Sequence, residues 1–287
     1  MRVGIAATLW GDAPFRTVAE EARDAGYAGL EGGTGDLIGN GSVAPRVAAD
    51  VGIPIVSGRF AANWFAPEYH DIELDQLRRM AEFLANLGAL YVVGAAHAVP
   101  ERWRTTGHAD PGEELQPDQW GLLAESLARA TDICQREFEL QLVFRNQLGS
   151  HIETSAEIDR LLSITDPTSV MLAVDVGYLF YLGTDPREFL RDRIDRVGYV
   201  TLKDVDVDLR DRHLSSGGSL PTFAKQGGFP ELGSGHLDLE GVLEVLRGSS
   251  YDGWVVVDQD QTLRDPGASA QISRECLVHL GLEAEPL

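Results

Sequence analysis

The sequence is poor in cysteine, in basic residues and in long hydrophobic runs, and each shortage excludes a class of protein. Two cysteines among 287 residues, Cys134 and Cys276, cannot build a disulfide framework, which indicates a reducing compartment. No run approaches the roughly 20 apolar residues that a membrane-spanning helix needs. The N-terminal segment also lacks the hydrophobic region of a signal peptide. We therefore expect a cytoplasmic protein that has no membrane partner.

The shortage of basic residues argues against nucleic acid as a partner. Lys and Arg total 24 against 45 Asp and Glu, which gives a net charge of -21. A field of this sign repels phosphate backbones and anionic membranes, whereas it favours solubility and, weakly, cationic ligands such as metals. The apolar fraction of 44% is that of an ordinary globular protein.

Eight strand-length apolar runs recur along the chain and alternate with amphipathic helical patterns. The runs are VGIAAT (3–8), AGLEG (28–32), IPIVSG (53–58), LYVVGA (90–95), LQLVFRN (140–146), VMLAVDV (170–176), VGYVTLK (197–203) and WVVVDQ (254–259). The clearest helical patterns cover 15–26, 72–88, 120–138 and 239–249. Continuous rather than alternating apolar strands are typical of a parallel sheet that helices cover on its outer face.

Eight β-then-α units predict an α/β protein, a single (β/α)₈ TIM barrel over residues 1–287. A doubly wound open sheet is the alternative, although it would not need eight evenly spaced units. Two capping boxes support the helix assignments, one at Thr154 and one at Asp185. The glycine-rich stretch 207–235 is predicted to be a long irregular βα-loop on the face where barrel active sites lie.

Polar side chains follow most of the predicted strands, at the end that forms the mouth of a barrel. The stretch GYVTLKDVD (198–206) shows this change from apolar to charged residues most clearly. Glu31, Glu153, Asp175 and Asp258 bring carboxylates to that mouth from four strands or their loops. Converging carboxylates repel one another unless a cation or a proton lies among them, and hard oxygen ligands suit Mg²⁺ or Mn²⁺.

Structural roles compete with these functional ones. Asp175 is expected either to bind an ion or to cap the loop that follows its strand. Lys203 is expected either to act on a ligand or to pair with Asp175 or Asp258. Trp10 is expected either to line a ring-shaped ligand or to pack beneath a loop.

The strand ends together resemble the xylose-isomerase-like TIM barrels, a family of sugar phosphate isomerases and epimerases, and within it the inosose dehydratase branch. The segments that carry the likeness are VGIAATLWGD, AGLEGG, VSGRFAANWF, QLGSHIET, DVGYLFYLGTDP, VTLKDVD, FPELGSGHLDLEGVLEVL and YDGWVVVDQDQ. The resemblance implies a divalent metal, a polyol or sugar next to a carbonyl as substrate, and removal of the proton α to that carbonyl. It also favours a homo-oligomer.

The metal ligands that the resemblance implies are only partly present. Glu153 and Asp175 match the acids of the fifth and sixth strands, whereas Thr201 stands where the family has a histidine. Asp258 replaces a final glutamate, and Arg145 stands where histidines are usual. The predicted metal set is therefore Glu153, Asp175 and Asp258 with Mn²⁺, Mg²⁺ or Co²⁺, and the departures leave open that no metal is bound.

The resulting hypothesis is a lyase or an isomerase/epimerase that acts on a cyclic polyol ketone or a sugar-like substrate. Glu153 or Asp258 is expected to take the α-proton, while Lys203 or Arg145 stabilises the enolate. The predicted substrate contacts are Trp10, Glu31, Arg59, Asn146, His151, Tyr178 and Thr201. Two alternatives stay open at this point: a metal-independent enzyme of specialised metabolism on the same scaffold, and a non-catalytic barrel subunit.

Overall fold

A computed structural model describes residues 1–32, 43–106 and 114–283, and in it eight parallel strands close into a barrel in chain order. The strands are β1 (Arg2–Ala6), β2 (Gly29–Gly32), β3 (Ile55–Ala62), β4 (Tyr91–Ala96), β5 (Gln141–Arg145), β6 (Met171–Asp175), β7 (Val197–Leu202) and β8 (Trp254–Val257). The pairing of β1 with β8 closes the sheet. The predicted single (β/α)₈ barrel and all eight predicted strands are confirmed.

Helices cover the outside of the sheet and also build parts of the mouth. They are α1 (Phe15–Asp24), α2 (Ala44–Val51), α3 (His70–Asn86), α4 (Pro117–Asp132), α5 (Ser155–Ile164), α6 (Val176–Tyr181), α7 (Pro186–Arg193), α8 (Val207–Ser215), α9 (Leu220–Lys225), α10 (Leu239–Arg247) and α11 (Pro266–His279). Short 3₁₀ segments lie at Ala7–Trp10 and Ile194–Arg196, and a π-helical turn at Ile133–Glu137 extends α4. The four helices predicted from the patterns are confirmed.

The predicted caps explain where two of these helices begin. The Thr154 hydroxyl accepts a hydrogen bond from the Glu157 N–H, and the Glu157 side chain reaches back to the Thr154 N–H, so the capping box of α5 is complete. The Asp185 carboxylate accepts from the Arg187 N–H and caps α7. The thiols of Cys134 and Cys276 are both free, as the composition predicts.

Two hydrophobic layers lie on the two sides of the sheet. Tyr199, Trp254 and Val256 belong to a cluster inside the barrel, whereas Val200 and Leu202 pack against the helices. This alternation follows from the two-residue period of a strand. No helix in the described ranges is both long and apolar enough to cross a membrane.

The segment 207–235 needs a correction, because part of this βα-loop is helical rather than irregular. The Asp206 carboxylate accepts from the Leu209 N–H and starts α8, and α9 follows after a short turn. Phe223 and Phe229 from this segment pack with Tyr178 and Tyr181 of α6 in a separate aromatic cluster. The segment is therefore a helical cover over one side of the mouth.

Candidate active site

Charged side chains occupy the layer above the apolar barrel interior, at the carboxyl ends of the strands. Along β7 the alternation that turns Tyr199 inward also turns Thr201 and Lys203 toward the barrel axis. Thr201 and Lys203 are completely buried. The polar end of this strand therefore faces a closed polar layer rather than bulk solvent.

The central contact of this layer is a guanidinium that lies between two carboxylates. Arg145 Nη2 at the end of β5 donates to Asp175 Oδ2 at 2.5 Å and to Asp258 Oδ2 at 2.7 Å. All three side chains are buried, at 2% exposure or less. Charge-assisted bonds of this kind are strong in a low-dielectric site, and an arginine cannot lose its proton there.

The Asp258 carboxylate contacts three cationic side chains. Besides Arg145, the Arg59 guanidinium lies 2.9 Å from its Oδ2, and the Lys203 ammonium lies 3.2 Å from the same atom. The Thr8 hydroxyl donates to Oδ1 at 2.9 Å. Burial alone would raise the pKa of Asp258, but the three positive charges outweigh it and hold the pKa well below 3.8.

Lys203 is held as a permanent cation. Its Nζ donates to Asp260 Oδ2 at 2.7 Å and to the Tyr178 hydroxyl at 3.3 Å. It also lies 4.4 Å from the Tyr178 ring centroid and 4.8 Å from that of Phe229. Burial would lower the pKa of Lys203, but the carboxylates of Asp258 and Asp260 outweigh it and raise the pKa above 10.5. The expectation that Lys203 pairs with Asp258 is confirmed.

A second group of polar contacts joins β2, β3 and β7. Glu31 accepts from Arg59 Nε at 2.5 Å, from the Tyr199 hydroxyl at 2.6 Å and from the Ser57 hydroxyl at 3.3 Å. Because Arg59 also reaches Asp258, it connects this group to the central one. The Arg59 side chain is 20% exposed, so it lies at the solvent side of the layer.

Asp175 combines a structural role with its place in the polar layer. Its Oδ1 accepts from the Tyr178 N–H at 3.0 Å and caps α6, so the capping role considered from the sequence is confirmed. The Asn146 side chain bonds both to the N–H and to the carbonyl of Asp175, which ties β5 to β6. Burial is the largest influence on the pKa of Asp175 and raises it above 3.8, against the opposing charge of Arg145.

Glu153 does not join the other predicted metal ligands, which is a correction. Its carboxylate accepts from the Gly149 N–H at 2.7 Å and lies 3.1 Å from Nη2 of the buried Arg102. Arg102 belongs to the loop after β4 and also bonds to the Ser150 carbonyl and to Glu157. The arginine therefore orients Glu153 toward the β4 and β5 loops.

Trp10 and His151 also have contacts outside the group of Arg145, Asp175 and Asp258. The Trp10 indole N–H donates to Glu21 of α1 at 2.6 Å, and its buried ring belongs to the hydrophobic core between the sheet and the helices. His151 is half-buried, and its ring lies 4.9 Å from that of Phe65. The layer thus brings together Glu31, Arg59, Arg145, Asn146, Asp175, Tyr178, Thr201, Lys203 and Asp258 from the predicted set.

Thr201 has an unusual environment. In the strand register it lies beside Asp175 on β6 and Val256 on β8. Its side chain is fully buried, and its hydroxyl has no hydrogen-bond partner within the described structure. A buried hydroxyl that lacks a partner costs free energy, so it marks a place where a ligand or water would bind.

Sequence reasoning missed Tyr199 and Arg102. Tyr199 precedes Thr201 by two residues, and the two-residue strand period could have placed both on the same face. Arg102 gives no comparable signal, because it lies in a loop whose path the sequence does not reveal.

Comparison with known proteins agrees with this architecture. The family model described as a xylose isomerase-like TIM barrel matches residues 19–278. The chain belongs to this family. It is 34% identical over 223 residues to an inosose dehydratase of Geobacillus kaustophilus, covering 74% of this chain and 71% of the relative. It is 29% identical over 280 residues to the rhizopine catabolism protein MocC of Rhizobium meliloti, covering 96% and 84%.

Solved structures share the fold at lower identity. The 3-keto-D-glucoside 4-epimerase YcjR of E. coli superposes with a TM-score of 0.74 at 21% identity, over 98% of this chain and 99% of that one. The IOLI protein, whose crystal structure contains a zinc atom, gives a TM-score of 0.74 at 15% identity, over 98% of each chain. These likenesses establish the barrel and its connectivity.

The side chains of this layer do not fit a divalent metal ion. The Arg145 guanidinium lies directly between Asp175 and Asp258, and Glu153 is bound to Arg102 instead. Thr201 offers a neutral hydroxyl, which is a weak ligand for such ions. Among residues 1–32, 43–106 and 114–283, no three His, Cys, Asp or Glu side chains are grouped so that they could hold a metal.

Proposed function

We propose that the protein is a lyase or epimerase that removes the proton α to the carbonyl of a cyclic polyol ketone or a similar sugar derivative. Its relatives named inosose dehydratase support this class of substrate and reaction. The observation that carries the chemical proposal is a buried carboxylate, Asp175, in a layer with two fixed cations: Arg145 bonds to Asp175, and Lys203 shares Asp258 with Arg145.

Asp175 is the carboxylate best suited to act as the base. Asp258 contacts three cations that hold its pKa well below 3.8, so it is a poor proton acceptor. Glu153 is paired with Arg102 at a separate position. Asp175 contacts one cation, and its raised pKa brings it closer to that of an effective general base.

Lys203 and Arg145 supply the positive charge that the reaction needs. When the α C–H bond breaks, its electron pair forms the enolate C=C bond, the proton moves to Asp175, and negative charge develops on the carbonyl oxygen. Fixed cations in a buried site stabilise that charge without reorganising. For dehydration, the proton held by Asp175 passes to the β-hydroxyl and the C–O bond breaks to release water, while the enolate electrons re-form the carbonyl and make the α,β C=C bond. Delivery of a proton to the opposite face of the enolate instead gives an epimer.

The remaining polar residues would orient the substrate. Arg59 lies at the solvent side of the layer, and the Asp260 side chain is 28% exposed beside Lys203. Glu31 and the Thr201 hydroxyl offer further hydrogen-bonding groups for a hydroxyl-rich ring. The Trp10 indole N–H is already bonded to Glu21, so it is not available to a substrate hydroxyl.

Hydrogen–deuterium exchange tests this proposal before the final product is known. Inososes and ketoses incubated with the protein in D₂O should lose the NMR signal of the α-proton, whichever product forms. Asp175→Asn should slow the exchange by about 10²- to 10⁴-fold, the usual contribution of a general base. The matched control is Asp159→Asn, which removes a half-exposed partner of Arg193 and should leave the rate unchanged.

The same assay distinguishes the enzyme from a non-catalytic barrel. Phe229 and Phe223 of the segment 207–235 cover the Tyr178 side of the mouth, which is the observation that favours a binding role. Exchange that is absent across the substrate panel, with substrate binding retained, would refute the catalytic proposal.

A further inference from the structure

We infer that Arg145 is the built-in cation of this site. Its guanidinium takes the place between Asp175 and Asp258 that a divalent ion would need, and Thr201, beside Asp175, offers only a neutral hydroxyl. Its role in stabilising the enolate rests on the proposed function, whereas its effect on ion binding does not.

The geometry shows why an arginine and a metal ion exclude each other here. A divalent ion shared by these carboxylates would lie about 2.0 to 2.2 Å from their oxygens. Arg145 Nη2 already lies 2.5 Å and 2.7 Å from the same two oxygens, Oδ2 of Asp175 and Oδ2 of Asp258. An ion could bind only after the guanidinium had left, and the arginine cannot be neutralised to make this easier.

The charges of the layer lead to the same conclusion. Asp258 already pairs with Arg59 and Lys203 in addition to Arg145. Two more positive charges beside these three cations would be repelled, because charges interact strongly in a low-dielectric interior. The carboxylates that would otherwise bind a metal ion are already paired with cationic side chains of the same protein.

Thr201 lies on the strand between those that lead to the two partners of Arg145, Asp175 and Asp258. The side chain of Arg145 starts on β5 and reaches Asp258, which follows β8. Thr201 is an inward-facing residue of β7, level with Asp175 in the register. A longer side chain at 201 would enter the same buried layer as the guanidinium, so we expect the two to compete for space.

Manganese binding to the intact protein is the first test. Titration of Mn²⁺ followed by electron paramagnetic resonance should show no stoichiometric site on the wild-type protein, and Asp175→Asn should change nothing. One tightly bound Mn²⁺ per chain that disappears in Asp175→Asn would overturn the inference.

Removing the arginine and lengthening residue 201 should create a metal site. Arg145→Ala combined with Thr201→His presents an imidazole beside Asp175 and Asp258, and we expect Co²⁺ to bind with the visible absorption of a protein-ligated ion. Arg145→Ala combined with Thr201→Val is the matched control and should not bind Co²⁺. Equal Co²⁺ binding by both double variants, or by the wild-type protein, would contradict the inference. If the variants fail to fold, the wild-type Mn²⁺ titration still decides.

The exchange assay connects the built-in cation to catalysis. With a substrate that undergoes α-proton exchange, extensive treatment with a chelator should leave the wild-type rate unchanged. A rate that the chelator abolishes and Mn²⁺ restores would overturn the inference while leaving the proposed reaction intact. Exchange absent with every substrate would refute the proposed reaction, and the Mn²⁺ titration would then decide the inference alone.

Discussion

Replacing Arg145 with methionine should destabilise the protein strongly, because it leaves a buried carboxylate without a cation. Asp258 would keep Arg59 and Lys203, whereas Asp175 would keep, within the part of the chain that the structure describes, only the Tyr178 N–H as a direct polar partner of its carboxylate. Removing one partner of a buried ion pair typically costs about 3–5 kcal/mol. This is a large part of a total stability of about 5–15 kcal/mol.

Urea unfolding measures the predicted loss. With a slope of about 3 kcal/mol per molar urea, the midpoint for Arg145→Met should fall by roughly 1 to 1.7 M. Adding Asp175→Asn should recover most of this loss, because the amide carries no charge that needs a partner. Arg78→Met, which breaks a surface ion pair with Glu137, is the control and should leave the midpoint unchanged.

Two results would refute this role of the Arg145–Asp175 ion pair. If Arg145→Met is as stable as the wild-type protein, the guanidinium does not compensate the buried charge of Asp175. If Asp175→Asn adds a further loss instead of a recovery, the stabilising element is the carboxylate itself rather than the ion pair.

Three further predictions concern acid stability and packing. The pKa of Asp258 is lower in the folded than in the unfolded protein, so its contribution to the stability of the folded protein is present above about pH 4 and is lost as pH falls toward the folded pKa. Asp258→Asn should therefore flatten the decline of stability with acid, measured by unfolding at several pH values. Gly235→Ala would place a methyl group 2.3 Å from Asp204 Oδ1, so we expect a loss of about 1–3 kcal/mol and faster proteolysis near the glycine. Phe229→Ala should cost about 3–5 kcal/mol in urea unfolding, whereas Leu263→Ala at a 77% exposed position should cost little.

The barrel could be predicted because its signals are local and repeated. Eight apolar runs separated by helical patterns leave few arrangements, and the caps at Thr154 and Asp185 mark helix starts directly. The two short helices within 207–235 were not predicted, because the glycines and the weak periodicity of this segment hide them. Those helices are stabilised by aromatic contacts with α6, and sequence spacing does not reveal such contacts.

The residues at the mouth could be predicted, but most of their partners could not. Strand ends converge in any closed barrel, so the position of Asp175 and Asp258 follows from the fold. The orientation of Glu153 depends on Arg102, which lies 51 positions earlier in a loop. Arg145 was recognised as a positive charge where a cation would lie, yet its simultaneous contact with both aspartates required the structure.

The charge balance of the layer bears on the substrate class. Its carboxylates are Glu31, Asp175, Asp258 and Asp260, and its cations are Arg59, Arg145 and Lys203. Each of these cations is already paired with a carboxylate, so within the described part of the layer none is left over for a phosphate group. A phosphorylated sugar would bring two negative charges into a layer that is itself slightly negative, on a chain of net charge -21. A neutral polyol ketone carries no such penalty on binding, and under the proposed function negative charge develops on its carbonyl oxygen only in the transition state.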